Sequence, residues 1–449
     1  MPPMDVTIEK LVYGGDGLAH HEGSTVFVPF VLPAERVEVT AVEQKKKFVR
    51  ARVEKMLAPS PERALPPCPH FGVCGGCHYQ HIPYAAQLAY KTEILRETLR
   101  RIGRIEWAGE ITAHASPPWG YRNRAQWKIR PAPESVAEAE TGATGASSKS
   151  APKLQIGYFR ANSTALCAVE DCQILSPLLL KTLLALRAAL ASGVLPRELR
   201  EIEAFSNEGA DADAPSENSK LLLTATFAGF PSRIAEHAET IRRIVPEAAS
   251  LLLHDPSHDR MELFGPGFIE TEVSGASYRV GHFSFFQVNR FLAADLLRAA
   301  VPAEESGRLA LDLFAGVGLF SVPLAAQFER VIAVESNPAA ARDLETNVRG
   351  RGTIEVRAAD VERFLERTKE RPDLVVLDPP RAGLEPGSVA RLARLQPPRI
   401  TYISCEPPTL SRDLAAFKEA GYDCAGIQLF DLFPQTFHME AVVRLRRRE

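Results

Sequence analysis

No stretch of this chain holds about eighteen consecutive apolar residues, so no segment reads as a membrane-spanning helix. The opening residues, MPPMDVTIEKLVYGG, lack the basic start and apolar centre of a secretory leader. With neither, the chain is expected in the cytoplasm, where thiols stay reduced unless they bind metal or do chemistry. Cysteine is scarce, at seven in 449 residues, and an odd number is a poor fit to a full disulfide framework. The net charge of −3 announces neither a nucleic-acid nor a membrane partner by itself. There is no internal repeat and no GK[ST] triphosphate loop.

Against that scarcity, CPHFGVCGGC places Cys68, Cys74 and Cys77 within one short segment. A disulfide staple and a metal site both remain open there, and spacing alone favours four-thiolate zinc. Basic residues also concentrate twice. EQKKKFVRARVEK carries Lys45, Lys46, Lys47, Arg50, Arg52 and Lys55, and GYRNRAQWKIR interleaves Arg122, Arg124, Lys128 and Arg130 with Tyr121 and Trp127. Charge with aromatics suits a polynucleotide groove, and solvated strand faces would look the same.

The first sixty or so residues read as all-β: TVFVPFV, RVEVTAV and FVRARVEKM are short Val- and Phe-rich runs between turns. A small OB-type barrel would bury one face of each strand. PSPERALPP follows as a proline-broken linker, then YAAQLAYKTEILRETLRRI with apolar residues at helical spacing. Pro131 to Pro152 is a low-complexity, disordered excursion between two strands, and Asn207 to Lys220 reads as the tip of a long hairpin. From about Phe285 strands and helices alternate: LALDLFA, RVIAVE, DLVVLD and RITYISC predict a buried parallel sheet of α/β type.

LDLFAGVGLFSVPLA has the order strand, glycine turn, helix, and Gly316 and Gly318 let backbone approach a ligand at the strand's carboxyl end. Glu335, ending VIAVE, stands where an acid accepts ribose hydroxyls. The turn lacks the third glycine of the pyrophosphate fingerprint, so an adenosine cofactor without a diphosphate fits best, S-adenosylmethionine foremost. Asp378 ends the strand before PPRAG. Cys405 sits at the end of RITYISC, where EPPTL forces a turn that presents the thiol. His438 and Glu440 lie in FPQTFHMEAV before a last strand. A thiol and a carboxylate beside a methyl donor form a coherent catalytic set.

In that order FFQVN, LDLFAGVGLF, VIAVE, LDPPRAG, ISCEPPTL and FPQTFHMEAV resemble the RNA 5-methyluridine methyltransferases. The N-terminal barrel is similar to that family's TRAM domain, and CPHFGVCGGCHYQH to the cluster segment of its iron–sulfur 23S rRNA (uracil-C5)-methyltransferases. The resemblance implies a TRAM barrel at 1–60, a central α+β domain at 61–265 carrying an iron–sulfur site, and a Rossmann-like class I methyltransferase domain at 266–449. It implies Cys405 as the nucleophile that adds to uracil C6 and Glu440 as the base that removes the C5 proton. It adds Gln287, Phe314, Glu335, Asp360 and Asp378 as methyl-donor contacts beside Gly316 and Gly318, with only a backbone or apolar contact at Leu319. The same resemblance moves the cysteine reading to a 4Fe–4S cluster held by Cys68, Cys74, Cys77 and Cys172, where Gln173 replaces a frequent proline. RNA is then the partner, 23S rRNA first and transfer RNA second, with a monomer and no obligate protein partner as the expected assembly. A cluster-bearing RNA-binding or redox-sensing protein without turnover is the competing class, and a methyltransferase for a small molecule or an RNA nitrogen is a third.

Overall fold

The computed structural model describes residues 3–132, 153–210 and 214–449. Most of the excursion expected at Pro131 to Pro152, and the centre of the one at Asn207 to Lys220, lie outside the described residues. The chain divides into two units, one of Met1–Gly72, Cys77–Pro118 and Glu272–Glu449, the other of Val73–Gly76 and Trp119–Thr271.

The first unit begins with a six-stranded sheet of Met4–Thr7, Lys10–Leu11, Asp16–His21, Ser24–Pro29, Arg36–Gln44 and Phe48–Ala58. Alternating valines point inward, so Val6, Val26, Val28, Val37, Val39 and Val49 share one small core. PSPERALPP then carries neither helix nor strand. It is pinned instead: Arg63 pairs at 2.7 Å with Glu35, a fully buried carboxylate that also accepts the Leu32 and Ser60 N–H groups.

The larger part of this unit is an eight-stranded sheet. Its strands in chain order are β1 (Ile111–His114), β2 (Gly307–Leu313), β3 (Phe328–Glu335), β4 (Ile354–Ala358), β5 (Leu374–Leu377), β6 (Arg399–Ser404), β7 (Tyr422–Phe430) and β8 (Glu440–Arg447). Their spatial order is β4-β3-β2-β5-β6-β8-β7-β1. From β4 to β6 neighbours run parallel, and β8 pairs antiparallel with both β6 and β7. β5 and the inner residues of β2 are buried on both faces, as the continuous apolar runs in the sequence predicted, with Asp312 the one carboxylate among them. The strand order reverses at β2 and β5, so their carboxyl ends open a crevice.

Residues 77–118, expected within the central domain, belong to this first unit. β1 extends the eight-stranded sheet beside β7, and Leu95 and Leu99 of the helix Tyr84–Arg101 share a core with Leu311 and Phe417. The physical reason is burial: this helix turns Ile94, Leu95 and Leu99 to one face, which needs an apolar partner.

The second unit is a seven-stranded sheet in the order Leu166–Ala168, Leu154–Phe159, Arg124–Pro131, Leu199–Ser206, Leu221–Phe227, Ala248–Asp255 and Arg260–Phe264. Leu199–Ser206 and Leu221–Phe227 pair antiparallel on either side of the predicted hairpin tip. The polynucleotide groove considered for GYRNRAQWKIR does not form there. Tyr121 and Trp127 are fully buried, and Arg124 and Lys128 are paired with Glu203 and Glu201 of the neighbouring strand. Alternation puts aromatics on the core face and cations against carboxylates. No helix among the described residues is long and apolar enough to cross a membrane.

Candidate active site

β2 ends in a turn that the chain enters at an unusual angle: Phe314 has φ +63° and Gly316 φ +56°. The Gly316 N–H donates to Glu335 Oε2 at 2.8 Å, and the Asn337 N–H donates to Oε1 at 2.7 Å. The carboxylate at the end of β3 is thereby aimed across the mouth of the turn. A Cβ on Gly316 would meet nothing within 4 Å, so that side of the turn is open for a ligand. Gly318 acts differently. With φ +93°, its missing Cβ would stand 2.6 Å from Leu344 Cδ1, so it packs the turn onto the helix Pro338–Asn347 and does not line the cavity.

A cavity of about 650 Å³ opens at these strand ends. Gln287, Phe314, Gly316, Glu335 and Asp360 line one part of it, together with Leu319. The Leu319 carbonyl is occupied by the Tyr278 hydroxyl at 3.2 Å, which leaves its apolar side chain to the cavity. Asp360 also caps the short helix Val361–Arg367 by accepting the Arg363 N–H at 3.1 Å. Asp378, Cys405 and Glu440 line the same cavity from the ends of β5, β6 and β8.

These three groups share one electrostatic environment. Burial pushes the Cys405 thiol up to about 12; the Glu440 and Asp378 charges add to that, and the Arg381 guanidinium opposes it. Burial, then the Asp378 charge, holds Glu440 well above the usual carboxylate range, again against Arg381. Asp378 itself rises to about 7 through burial and the charge of Asp312 beneath it. Burial thus favours the protonated forms of Glu440 and Asp378, and Arg381 opposes it at both the Cys405 thiol and the Glu440 carboxylate.

Sequence reading missed Arg381, although it stands in plain view in LDPPRAG. Its loop is fastened to the helix Pro407–Glu419: the Leu384 N–H donates to Asp413 at 2.9 Å and Arg412 donates to the Ala382 carbonyl at 3.0 Å. Tyr13, from the N-terminal sheet, was also missed. Its hydroxyl donates to Glu406 Oε2 at 2.8 Å, one residue from the thiol, and its ring meets Phe437 edge-on at 5.5 Å. Phe433 joins the cavity wall from the loop before β8.

A Rossmann-type sheet with a thiol, a buried carboxylate and a glycine turn around one cavity narrows the choice, and known proteins decide it. Residues 269–448 match the family described as tRNA (Uracil-5-)-methyltransferase, and residues 4–53 match the TRAM domain. A 23S rRNA (uracil(1939)-C(5))-methyltransferase of Klebsiella pneumoniae is 33% identical, over 99% of this chain and 95% of that one. The chain belongs to the RNA uracil-C5 methyltransferases. An uncharacterized RNA methyltransferase of Aquifex aeolicus is 32% identical over 99% of this chain and 98% of its own length. Among solved structures, the Pyrococcus abyssi tRNA (uracil-54, C5)-methyltransferase in complex with S-adenosyl-L-homocysteine superposes with a TM-score of 0.72 at 25% identity. That superposition covers 98% of this chain and all of the other. The chain is thus an S-adenosylmethionine-dependent RNA uracil-C5 methyltransferase with a TRAM domain at its N-terminus.

The cysteines expected to hold a cluster are half-buried, whereas Cys167 is buried. The Gly76 N–H donates to Cys74 Sγ at 3.4 Å, and the Tyr158 hydroxyl donates to Cys172 Sγ at 3.9 Å. Among the described residues, no three His, Cys, Asp or Glu side chains gather closely enough to hold a metal ion.

Proposed function

We propose that this methyltransferase acts on C5 of a uridine in 23S rRNA through a covalent bond between Cys405 and uracil C6, with Glu440 removing the C5 proton. The observation that carries the reading is one cavity lined by Cys405, Glu440 and Asp378, with Gly316 and Glu335 in the same wall.

Uracil C5 is too weakly nucleophilic to react alone. The Cys405 thiol first gives up its proton to solvent, a step the Arg381 charge favours. As the S–C6 bond forms, the C5–C6 electron pair moves into an enolate and C5 becomes the nucleophile. S-adenosylmethionine supplies the methyl group as an electrophilic sulfonium. Gln287, Phe314, Glu335, Asp360 and Asp378 are the contacts that would hold it, at a turn whose open face and aimed carboxylate suit an adenosine ribose. Glu440 must be ionised at this stage, a state that the Arg381 charge favours, and it takes the C5 proton. The freed pair restores the C5–C6 double bond while the S–C6 bond breaks and thiolate returns. Burial gives Glu440 a higher proton affinity than an exposed carboxylate has, and this makes it the stronger base.

The 23S substrate is supported by the Klebsiella relative, and transfer RNA by the Pyrococcus one. A second groove in the same unit suits RNA of either kind. It measures about 730 Å³ and is lined by Phe27, Phe48, Lys47 and Arg101, with Tyr13 and Pro408 also in its wall. Phe27 and Phe48 are half-buried with cations nearby, an arrangement a single strand can stack on, although Glu9 and Glu97 share the wall.

The 4Fe–4S cluster on Cys68, Cys74, Cys77 and Cys172 rests on donor chemistry. Four thiolates are the donor set a cluster takes, one at each iron, and hydrogen bonds to sulfur such as those from Gly76 and Tyr158 would tune it. When bound, it would tie cysteines distant in the chain together, and no step of the methyl transfer uses it.

The test is anaerobic incubation of the protein with methyl-labelled S-adenosylmethionine and unmodified bacterial RNA. Label recovered as 5-methyluridine in 23S rRNA is the expected result, and label in transfer RNA alone would overturn the substrate. Cys405→Ala should abolish labelling and leave RNA binding intact. Iron quantitation on the same sample tests the cluster.

A further inference from the structure

The loop between β7 and β8 carries Phe433 in the cavity wall and ends at Glu440. Its backbone is held at an angle that only a firm set of contacts would maintain, for Gln435 has φ +67° with a full side chain. The Gln435 carbonyl accepts the N–H groups of His78 and Tyr79 at 2.8 and 2.9 Å. Its own N–H donates to Gln87 Oε1 at 3.0 Å, and its side-chain oxygen accepts from Gln87 Nε2 at 3.0 Å. One turn further along the helix Tyr84–Arg101, Lys91 Nζ donates to Asp431 Oδ1 at 2.6 Å and to the Phe433 carbonyl at 3.1 Å.

Gln87 and Lys91 have no exposed surface at all, and they lie one helical turn apart on one face. A helix that needed only to pack would carry leucine or methionine at both positions, because a buried ammonium is costly even when paired. What the polar pair adds is direction. It grips Asp431, Phe433 and Gln435 at chosen atoms, and those residues precede the base by nine, seven and five positions.

We infer that Gln87 and Lys91 are positioning residues for proton abstraction, setting the loop that delivers Glu440 to the C5 proton after the methyl group has moved. The inference rests on the reading of Glu440 as the base. It makes the last chemical half of the cycle more sensitive to the helix than the first half is, since Cys405 and Arg381 are held from other elements.

The experiment compares Lys91→Met, the charge-neutral pair Lys91→Met with Asp431→Leu, and Glu440→Gln. Each is assayed for steady-state turnover on uridine RNA, for the rate of denaturant-stable adduct with 5-fluorouridine RNA, and for methylated protein–RNA adduct accumulating on ordinary uridine RNA. The 5-fluorouridine adduct requires attack and methyl transfer but no proton removal. Expected in both Lys91 variants is turnover lower by about a hundredfold, the loss a displacement of about 1 Å produces, with adduct formation within a few-fold of the parent. Methylated adduct should then accumulate on ordinary RNA, as in Glu440→Gln. Turnover and adduct formation falling in parallel, or neither falling, would overturn the inference. The paired variant decides the matter if the single one fails to fold. If Glu440→Gln accumulates no adduct, the base assignment fails and the inference falls with it; if it does and the Lys91 variants do not, only the inference fails.

Discussion

At the residue scale, the chemistry turns on where protons reside. A thiol raised to about 12 is almost wholly neutral near pH 7, so the reactive thiolate fraction climbs about tenfold with each pH unit. The rate of adduct formation with 5-fluorouridine RNA should therefore rise with pH at a slope near one, with no plateau below about pH 10. A plateau near neutrality would mean that bound RNA lowers the thiol far more than Arg381 does in the free protein. Asp312 offers a stability test. Burial, eased by the Ser321 hydroxyl, raises its carboxyl to about 7 from an ordinary 3.8, so the folded state holds a proton that the unfolded state releases. Stability is then fully present below about pH 4 and declines as pH rises toward about 7. Asp312→Asn should remove much of that decline, on the order of 3 kcal/mol, as read by urea unfolding at both ends of the window.

At the element scale, strand ends and the turns after them make the site, and each turn has its own fastening. The Phe314–Gly318 turn rests on the helix Pro338–Asn347 through the space Gly318 leaves open. Gly318→Ala should strain the turn, because φ +93° disfavours any residue with a Cβ and Leu344 Cδ1 must also move aside, costing about 1–3 kcal/mol and weakening S-adenosylmethionine binding while leaving RNA binding unchanged. Isothermal titration with the methyl donor and a separate RNA-binding assay would check both halves. The Arg381 loop is held by the helix Pro407–Glu419, and the loop before Glu440 by the helix Tyr84–Arg101. Different helices thus hold the Arg381 loop and the loop before Glu440. Basic stretches show the limit of reading charge along an element. Arg124 and Lys128 are spent on Glu203 and Glu201, whereas Lys46 and Lys47 stay exposed beside Phe48 and Lys45 pairs with its exposed neighbour Glu43.

At the scale of the whole molecule, the first unit is stitched from three separated stretches of chain. Leu11 and Leu32 from the N-terminal sheet, Leu95 and Leu99 from the helix Tyr84–Arg101, and Leu311 and Phe417 from the C-terminal stretch belong to one core. Residues 266–449 expressed alone would expose that face and lose β1 from the sheet edge, so they should give an aggregating or protease-sensitive product. A stable, cooperatively unfolding fragment would contradict the shared core. The same stitching brings Tyr13 to Glu406, which joins the N-terminal sheet to the turn after Cys405.

The amino-acid sequence by itself determined the elements and the family. Apolar runs of strand length marked β2, β3, β5 and β6, alternating valines marked the N-terminal sheet, and strand-end placement singled out Cys405, Glu335 and Asp378. These signals are local: periodicity and the residue at a strand's carboxyl end are visible within a dozen positions. What only the tertiary structure decided depends on contacts between distant positions. Helix Tyr84–Arg101 and β1 could not be assigned to the C-terminal sheet, because an apolar face does not name its partner. Arg381, Tyr13 and the pair Gln87 and Lys91 were likewise silent, since a cation or an amide acquires a role only from what folding places opposite it. The charges on Arg124 and Lys128 lost theirs for the same reason, when the neighbouring strand brought carboxylates across.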